Sequence, residues 1–575
     1  MKQLLIVLFF GITLSVYSQN PIIIPGAIES TNVNLSLQNG TFQFFSGIDT
    51  ATMGVNGPQL GPTLIMHQGD DMNVTFTNNL GQETTIHWHG LHVSAANDGG
   101  PHTIIGVGET WNPQFTVLDK ASTYWYHPHL LHYTDEHASL GLAGFIIVKD
   151  DEEAALNLPR TYGVDDIPLA IQTKAFDDSF QIKSNVNDDD ILMVNATLDA
   201  QLDVPAQVVR LRLLNGSSQR SFNFGLTGDM TFYVIGTDGG LLSSPVALTR
   251  LPMSPGARAE ILIDFTGLES QTINLMSYAS EFSNGIYGAT NPGMNSSMVL
   301  NGYYPNTMNG TDFNVLQMDV VAQTASPITT IPVSLATVTP YLEADSDITR
   351  DFSFRPLTTG LGQLNGDFSI NNVTIDMNTI NVTIPINNTE IWSFTNNSAI
   401  SHPWHMHDVQ YYILDINGNP PPAYLQGRKD TFSIPAGGGT VRIITKFEDH
   451  FDDTIPYMYH CHMLKHEDAL AGMMGQFVVI DPTAGVDEFN IESGFSLFPN
   501  PSNSTYMTAK LYNQSERITA YAIINHLGQI VSYHKIHENE ISNLYSFPVF
   551  EYSSGNYILK VFTDDAIYSK KFIVK

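Results

Sequence analysis

FTNNLGQETTIHWHG (76–90) and FTNNSAISHPWHMHD (394–408) are the two stretches from which the organisation of this chain can be worked out. Counting from the Phe of each FTNN, the histidines stand at the same two offsets in both: His87 and His89 in the first, His405 and His407 in the second. A gap-free match marks an internal duplication. The copies continue alike. WYHPH (125–129) and MYHCH (458–462) form a second matched pair, and each precedes a glycine-containing apolar run, GLAGFIIV (141–148) and MMGQFVVI (473–480). The first and third parts of the chain therefore read as copies of one β-unit, each contributing two His-x-His pairs.

Short alternating runs surround these motifs: DMNVTFTNN (71–79), VVRLRLLNG (208–216), AEILIDFTG (259–267) and TVRIITKF (440–447). Period-two hydrophobicity bounded by Gly, Asn, Asp or Pro predicts antiparallel β-sandwiches, an all-β fold. Polar, Pro- and Gly-bearing breaks fall at KDDEEAALNLPR (149–160), VAQTASPITTIP (321–332) and DPTAGVDE (481–488). The expected domains are 20–150, 160–325, 333–482 and 489–575. The second contains no histidine and reads as a spacer that lets the outer two meet.

A length of 575 residues fits three or four domains, and 42% hydrophobic with 14% charged residues is a globular balance. Twenty-five Lys+Arg against 57 Asp+Glu leave a net charge of −32. Such a field repels nucleic acid and anionic lipid and attracts cations. At the start, Lys2 precedes an apolar run from Leu4 to Leu14, then Val16 and Ser18. Residues 1–18 thus read as a secretory signal peptide, and no segment is long and apolar enough to predict a membrane span. Export permits disulfides, but Cys461 is the single cysteine, so no intramolecular bridge can form.

Nineteen histidines placed at random give fewer than one His-x-His pair; here there are four, His87/His89, His127/His129, His405/His407 and His460/His462. Side chains at i and i+2 of a strand share a face, so each pair can aim two imidazoles at one point, and imidazole is a ligand for copper, zinc and iron. Cys461 lies between His460 and His462 and must point the other way. With His402, His466 and Met473 it makes a two-histidine, one-thiolate set with a weak thioether, the ligand choice of a blue-copper electron-transfer centre. One strand would then join two metal sites.

HWHG (87–90), YHPH (126–129), HPWHMH (402–407) and HCHMLKHEDALAGMM (460–474) together resemble the multicopper oxidases, the group of laccase, bilirubin oxidase and cuprous oxidase; the resemblance covers about 22–482. RLRLLNGSSQRSF (210–222) and SPGARAEILIDF (254–265) resemble strands of that family's middle domain. The resemblance implies three cupredoxin-like Greek-key sandwiches and four copper ions. His402, Cys461 and His466 would bind a type 1 copper with Met473 axial, and His87 and His405 a type 2 copper. His89, His127, His129, His407, His460 and His462 would bind a type 3 pair. It further implies one-electron oxidation of a small reducing substrate at the type 1 site and reduction of dioxygen to water at the other three coppers. Asp98, in NDGGP, and Glu467, after His466, occupy the positions of proton-handling acids.

In one respect the chain departs from the pattern. The family's axial residue usually lies five positions after the second type 1 histidine, where this chain has Ala471. Either EDALAG bulges so that Met473 reaches the copper, or Met474 or no residue does; Met473 is the expected ligand. His67, His92, His102, His132, His137 and His450 are expected outside the ligand sets. Met276, Met294, Met298, Met308 and Met318 are too dispersed to resemble the methionine-rich insert of cuprous oxidases. Ser398–Ser401, before His402, offer no ion site. The expected reductant is therefore a phenol-like organic molecule; the alternatives are oxidation of Cu(I), Fe(II) or Mn(II), or a non-catalytic copper-binding β-protein. Finally, FSLFPNPSNSTY (495–506) and SGNYILKVF (554–562) resemble the C-terminal sorting domain of the type IX secretion system of the Bacteroidetes. That resemblance implies outer-membrane secretion machinery as a partner and a secreted protein passing through the periplasm.

Overall fold

The computed structural model describes residues 19–575 except 297, 299, 301, 304, 305, 358–363, 365, 366, 483–493, 504, 526–528, 538, 540, 564 and 565. The signal-peptide expectation, 1–18, lies outside the described residues. The chain is built of strands with a few short helices. It divides into two compact units, one ending at Ile480 and one running Asp481–Lys575.

The duplication seen in the sequence is a duplication of sheets. In the first copy the order is Ala27–Glu29, Thr63–His67, Gly144–Lys149, Ser122–His127, His87–His89; in the second it is Val382–Pro385, Met474–Ile480, Asp452–Cys461, His402–Met406, Thr431–Ile434. HWH pairs antiparallel with the YHPH strand, and HPWHM likewise with the MYHC strand. Each copy also has a parallel pair in its facing sheet, Asn32–Phe45 with Asp71–Asn79 and Ile348–Pro356 with Thr389–Asn396. The alternation explains the packing: Met72, Val74 and Phe76 turn inward to meet Leu35, Trp88 and Tyr126, while Asp71 and Asn73 face solvent. A Phe buried in this way contributes roughly 1.5–3 kcal/mol.

The repeated asparagine has a repeated purpose. Asn78 Nδ2 donates to the carbonyls of Gln82 and Ile105, and Asn396 Nδ2 to those of Ile400 and Ile434. Each thereby ties the turn that leads to a His-x-His strand to a carbonyl later in the chain, satisfying backbone oxygens that would be costly to leave unpaired.

Between the copies lie a sheet that includes Asp166–Phe176, Val208–Asn215 and Arg258–Asp264, and a facing sheet that includes Ala200–Pro205 and Asp312–Val321. The facing sheet also takes up Asn20–Pro21, paired in parallel with Ala200 and Gln201. The second unit has a sheet of Phe495–Phe498, Tyr506–Leu511 and Leu544–Pro548 and another of Ile530–Lys535, Ala520–Ile524, Gly555–Phe562 and Ile567–Val574. Met507, Ile523, Phe547, Leu559 and Phe572 lie in its core.

Candidate metal centre

Across the ladder between His402–Met406 and Asp452–Cys461, His405 stands opposite His460 and Trp404 opposite Cys461. Opposed residues share a face, so His405 and His460 turn to one side and Cys461, with His402, to the other. Two clusters follow.

On the cysteine side, Cys461 Sγ lies 3.4 Å from His402 Nδ1 and 3.5 Å from His466 Nδ1, and the two nitrogens are 3.2 Å apart. The outer nitrogens are tied down. His402 Nε2 donates to Ser398 Oγ at 2.7 Å and His466 Nε2 to the carbonyl of Leu364 at 2.8 Å. With the protons held there, both Nδ1 lone pairs and the sulfur converge. Burial holds His466 down at about 4 and pushes the Cys461 thiol up, so its thiolate needs a cation beside it. The helix Leu464–Asp468 carries His466; beyond it Leu470 bulges into solvent, 90% exposed, and the chain returns so that Cys461 N donates to the Met473 carbonyl at 3.0 Å. Met474, by contrast, pairs with His460. Met473 is buried in the same core as Cys461.

On the other side eight imidazoles meet, all buried. His87, His405 and His407 form one group able to hold an ion, His87, His89 and His127 another, and His129, His407 and His460 a third. His129 Nε2 is 3.1 Å from His460 Nε2 and 3.2 Å from His407 Nε2. Their Nδ1 atoms face carboxylates: Glu467 Oε1 is 3.3 Å from His129, Glu467 Oε2 is 3.1 Å from His460, and Asp98 Oδ2 is 2.7 Å from His407. Protons on those outer nitrogens leave three inward lone pairs facing one another, an arrangement that only a cation among them makes favourable. His462 adds two buried ring nitrogens without a hydrogen-bond partner. The residues present fit bound metal.

The sequence-predicted acids sit here. Burial alone would raise the pKa of Glu467; His129 and His460 more than offset it, holding it well below the usual carboxylate range. Thr134 Oγ1 donates to Glu467 Oε1 at 2.6 Å. Asp98 ends the short helix Ala95–Asp98, and its carbonyl lies 3.0 Å from His87 Nδ1. Gly99 then turns at φ 77, where a Cβ would meet the Ile86 carbonyl at 1.8 Å. Glycine is required there, and it sets Asp98 over the cluster.

Asp430, Arg258, Ser398 and Leu364 are contacts that the motifs did not reveal. Asp430 Oδ1 is 3.2 Å from His89 Nε2, and its carbonyl is 2.9 Å from His405 Nδ1. Arg258, from the histidine-free region, donates through Nη1 to Asp430 Oδ1 at 2.7 Å. Burial opposes its charge, but Asp430 and Asp238 more than offset this and raise its pKa. The middle region thus reaches the site and does more than space the outer two. His67, His92, His132 and His137 hydrogen-bond outside the clusters, to Glu29, the Asp408 carbonyl, the Asp468 carbonyl and the Gln82–Thr84 pair. His102 contacts Gln476, and the His450 ring lies against that of His92. Met318 and Met308 are core residues, whereas Met294 is partly exposed.

The multicopper oxidase family pattern matches residues 36–153 and again 337–483, and the secretion system C-terminal sorting domain matches 496–575. The multicopper oxidase mco of Staphylococcus haemolyticus is 30% identical over 485 residues, 80% of this chain and 93% of that protein. The cell division protein FtsP of Xenorhabdus nematophila is 30% identical over 455 residues, 77% and 88% of the two chains. Among solved structures, the laccase-like multicopper oxidase CueO of Ochrobactrum sp. is 31% identical, with a TM-score of 0.69, 80% of this chain and all of that one being covered. This chain belongs to the multicopper oxidase family, copper oxidoreductases that use dioxygen, on a scaffold of cupredoxin-like β-sandwiches. It carries a C-terminal secretion sorting domain, which points to type IX secretion and the cell surface or exterior.

Proposed function

We propose that this protein is a secreted laccase-like oxidase that couples one-electron oxidation of a phenol-like organic reductant to four-electron reduction of dioxygen to water. The observation that carries the proposal is the placement of Cys461 and His460, neighbours on one strand, in two different clusters. In this reading His402, Cys461 and His466 would hold the type 1 copper, with Met473 as the weak thioether ligand. His87 and His405 hold the type 2 copper. His89, His127 and His462 hold one copper of the type 3 pair, and His129, His407 and His460 the other. Four bound copper ions would supply one-electron acceptance at the first site and oxygen reduction at the other three.

The chain's own residues do the rest. Ser398 and Leu364 fix the rings of His402 and His466 with Nδ1 inward. Asp98 and Glu467 orient His407, His129 and His460 and stand where protons consumed by the reaction must arrive. Support for an organic reductant comes from the type 1 surroundings: a serine hydroxyl and a backbone carbonyl contact the outward nitrogens, and among the described residues neither is a soft or charged ion ligand. The Ochrobactrum oxidase is described as active towards lignin model compounds and lignosulfonate. The sorting domain supports a Bacteroidetes-like route across the outer membrane, with 1–18 removed.

Metal analysis and an absorption spectrum test the class. Four copper ions per chain and an intense blue band are expected, and a colourless protein with about one ion would overturn it. Steady-state oxidation of phenols against Cu(I) and Fe(II) then tests the substrate; faster turnover of the metal ions would replace the organic assignment.

A further inference from the structure

His89 is turned differently from its neighbours. His87, His127, His129, His405, His407 and His460 each direct Nδ1 at a carbonyl or carboxylate and leave Nε2 inward. His89 instead sends Nε2 outward, to Asp430 Oδ1 at 3.2 Å and Thr431 Oγ1 at 3.1 Å, and its Nδ1 lies 3.2 Å from His127 Nε2. What holds this inverted ring is anchored in the histidine-free region. The Asp430 oxygen that faces His89 also accepts from Arg258 Nη1. Arg258 in turn donates from Nε to the Thr123 carbonyl at 3.1 Å, from Nη1 to the Gly256 carbonyl at 3.0 Å and from Nη2 to the Asp238 carbonyl at 3.1 Å. Asp238 accepts from Lys429 Nζ at 2.8 Å, and Asp238, Arg258, Lys429 and Asp430 are all buried. The guanidinium cannot swing away without abandoning the whole set.

Two residues earlier, Gly256 touches the same half of the cluster. Its φ is 82, and a Cβ there would stand 2.9 Å from Cγ and Nδ1 of His462. The Ser254–Arg258 turn therefore meets two imidazoles, His462 by contact and His89 through Asp430.

We propose that this turn is a positioning element for one copper of the type 3 pair, the one assigned to His89, His127 and His462: Arg258 sets Asp430, Asp430 sets the inverted ring of His89, and Gly256 seats His462. The proposal rests on the copper assignment above. It makes the two halves of the pair differ in origin, because the ligands of the other half are oriented by Asp98 and Glu467 from the duplicated parts. Loss of such an outer partner typically weakens metal binding 10- to 100-fold.

The test compares Arg258→Gln with Arg212→Gln in the copper-loaded full chain. Arg212 is another buried arginine of the same region, paired with Asp166 and Glu260 and, among the described residues, touching no histidine. Expected for Arg258→Gln are an unchanged blue band and type 1 potential, copper content falling from four towards three, and a paramagnetic signal from the formerly coupled, silent pair. Arg212→Gln should keep all four ions and the silent pair. Full copper and a silent pair in Arg258→Gln, or equal loss in Arg212→Gln, would overturn the proposal. If Arg258→Gln does not accumulate, Asp430→Asn, which keeps the shape but removes the carboxylate between Arg258 and His89, decides by chelator competition: roughly 10-fold easier removal of one copper supports it, and unchanged removal defeats it. A wild-type protein lacking the blue band or the four ions would instead remove the assignment on which the proposal rests.

Discussion

The carbonyl of Cys461 lies 3.2 Å from Nδ1 of His460, the residue before it, while Cys461 Sγ points away towards His402 Nδ1. One residue thus contacts both clusters, its sulfur on one side and its backbone oxygen on the other. Cys461→Ser should abolish the blue absorption and reduce the copper content by one while leaving the trinuclear ions. Oxidation of the organic substrate should fall to background, since no alternative thiol exists in the chain. Metal content and visible spectra check this; a serine variant that stayed blue would refute the role of Cys461.

Met473 and Met474 are separated by the same alternation. The Met473 carbonyl accepts from Cys461 N, whereas Met474 pairs with His460. Met473→Leu should raise the type 1 potential by about 59 mV or more, a tenfold change in the one-electron equilibrium, because a weak donor that favours the oxidised ion is gone. Met474→Leu should leave the potential unchanged. Redox titration of the blue band separates them, and the reverse result would transfer the axial position to Met474.

Glu467 contacts His129 and His460, and Asp98 contacts His407 and His87. Glu467→Gln and Asp98→Ala should each keep the blue band yet slow dioxygen uptake by about 10²-fold or more, the usual range for a positioned proton-transfer group. Oxygen-electrode rates and reoxidation of the reduced blue centre are the measurements. Unchanged turnover in either variant would remove that residue from proton handling.

The His-x-His pairs and Cys461 were legible because strand period two writes itself directly into residue spacing, and the repeated FTNN made the duplicated sheets readable as well. Arg258 lay inside a quoted strand motif, but nothing local tells that a guanidinium will cross from one sandwich to a carboxylate in another. Asp430 sits in GRKDTF (427–432), where a buried acid looks like any turn acid until its partners are known. The Leu364 carbonyl on His466 is a backbone atom and leaves no side-chain signature. The pairing of Asn20–Pro21 with Ala200 and Gln201 spans a sequence separation that periodicity cannot bridge.

His137 contributes to the acid limb of stability. It is buried, with its ring nitrogens on Gln82 and Thr84, and burial holds its pKa down at about 4 against an ordinary 6.5. Between those values the unfolded chain binds a proton that the folded chain excludes, so stability falls as pH drops from about 6.5 to 4 and is fully present above that window. A difference of that size corresponds to roughly 3 kcal/mol. Urea midpoints of the copper-loaded protein across this range should slope less in His137→Gln; an identical slope would assign the acid sensitivity elsewhere.

The second unit invites a deletion. It has its own core around Met507, Phe547 and Phe572, and among the described residues the groups able to hold an ion all belong to the first unit. Its strand Ile567–Val574 pairs along its whole length with Gly555–Phe562, so a partial truncation would strip a sheet edge and expose Leu559 and Val561. Removal of the whole unit after Ile480 avoids that damage. The shortened protein should keep the copper content of the full chain, with its spectrum unchanged and turnover within about twofold. In a host with type IX secretion it should accumulate in the periplasm while the full chain reaches the surface or medium, as cell fractionation would show. Secretion of the shortened chain at the normal level would mean that export is read from a signal in the first unit.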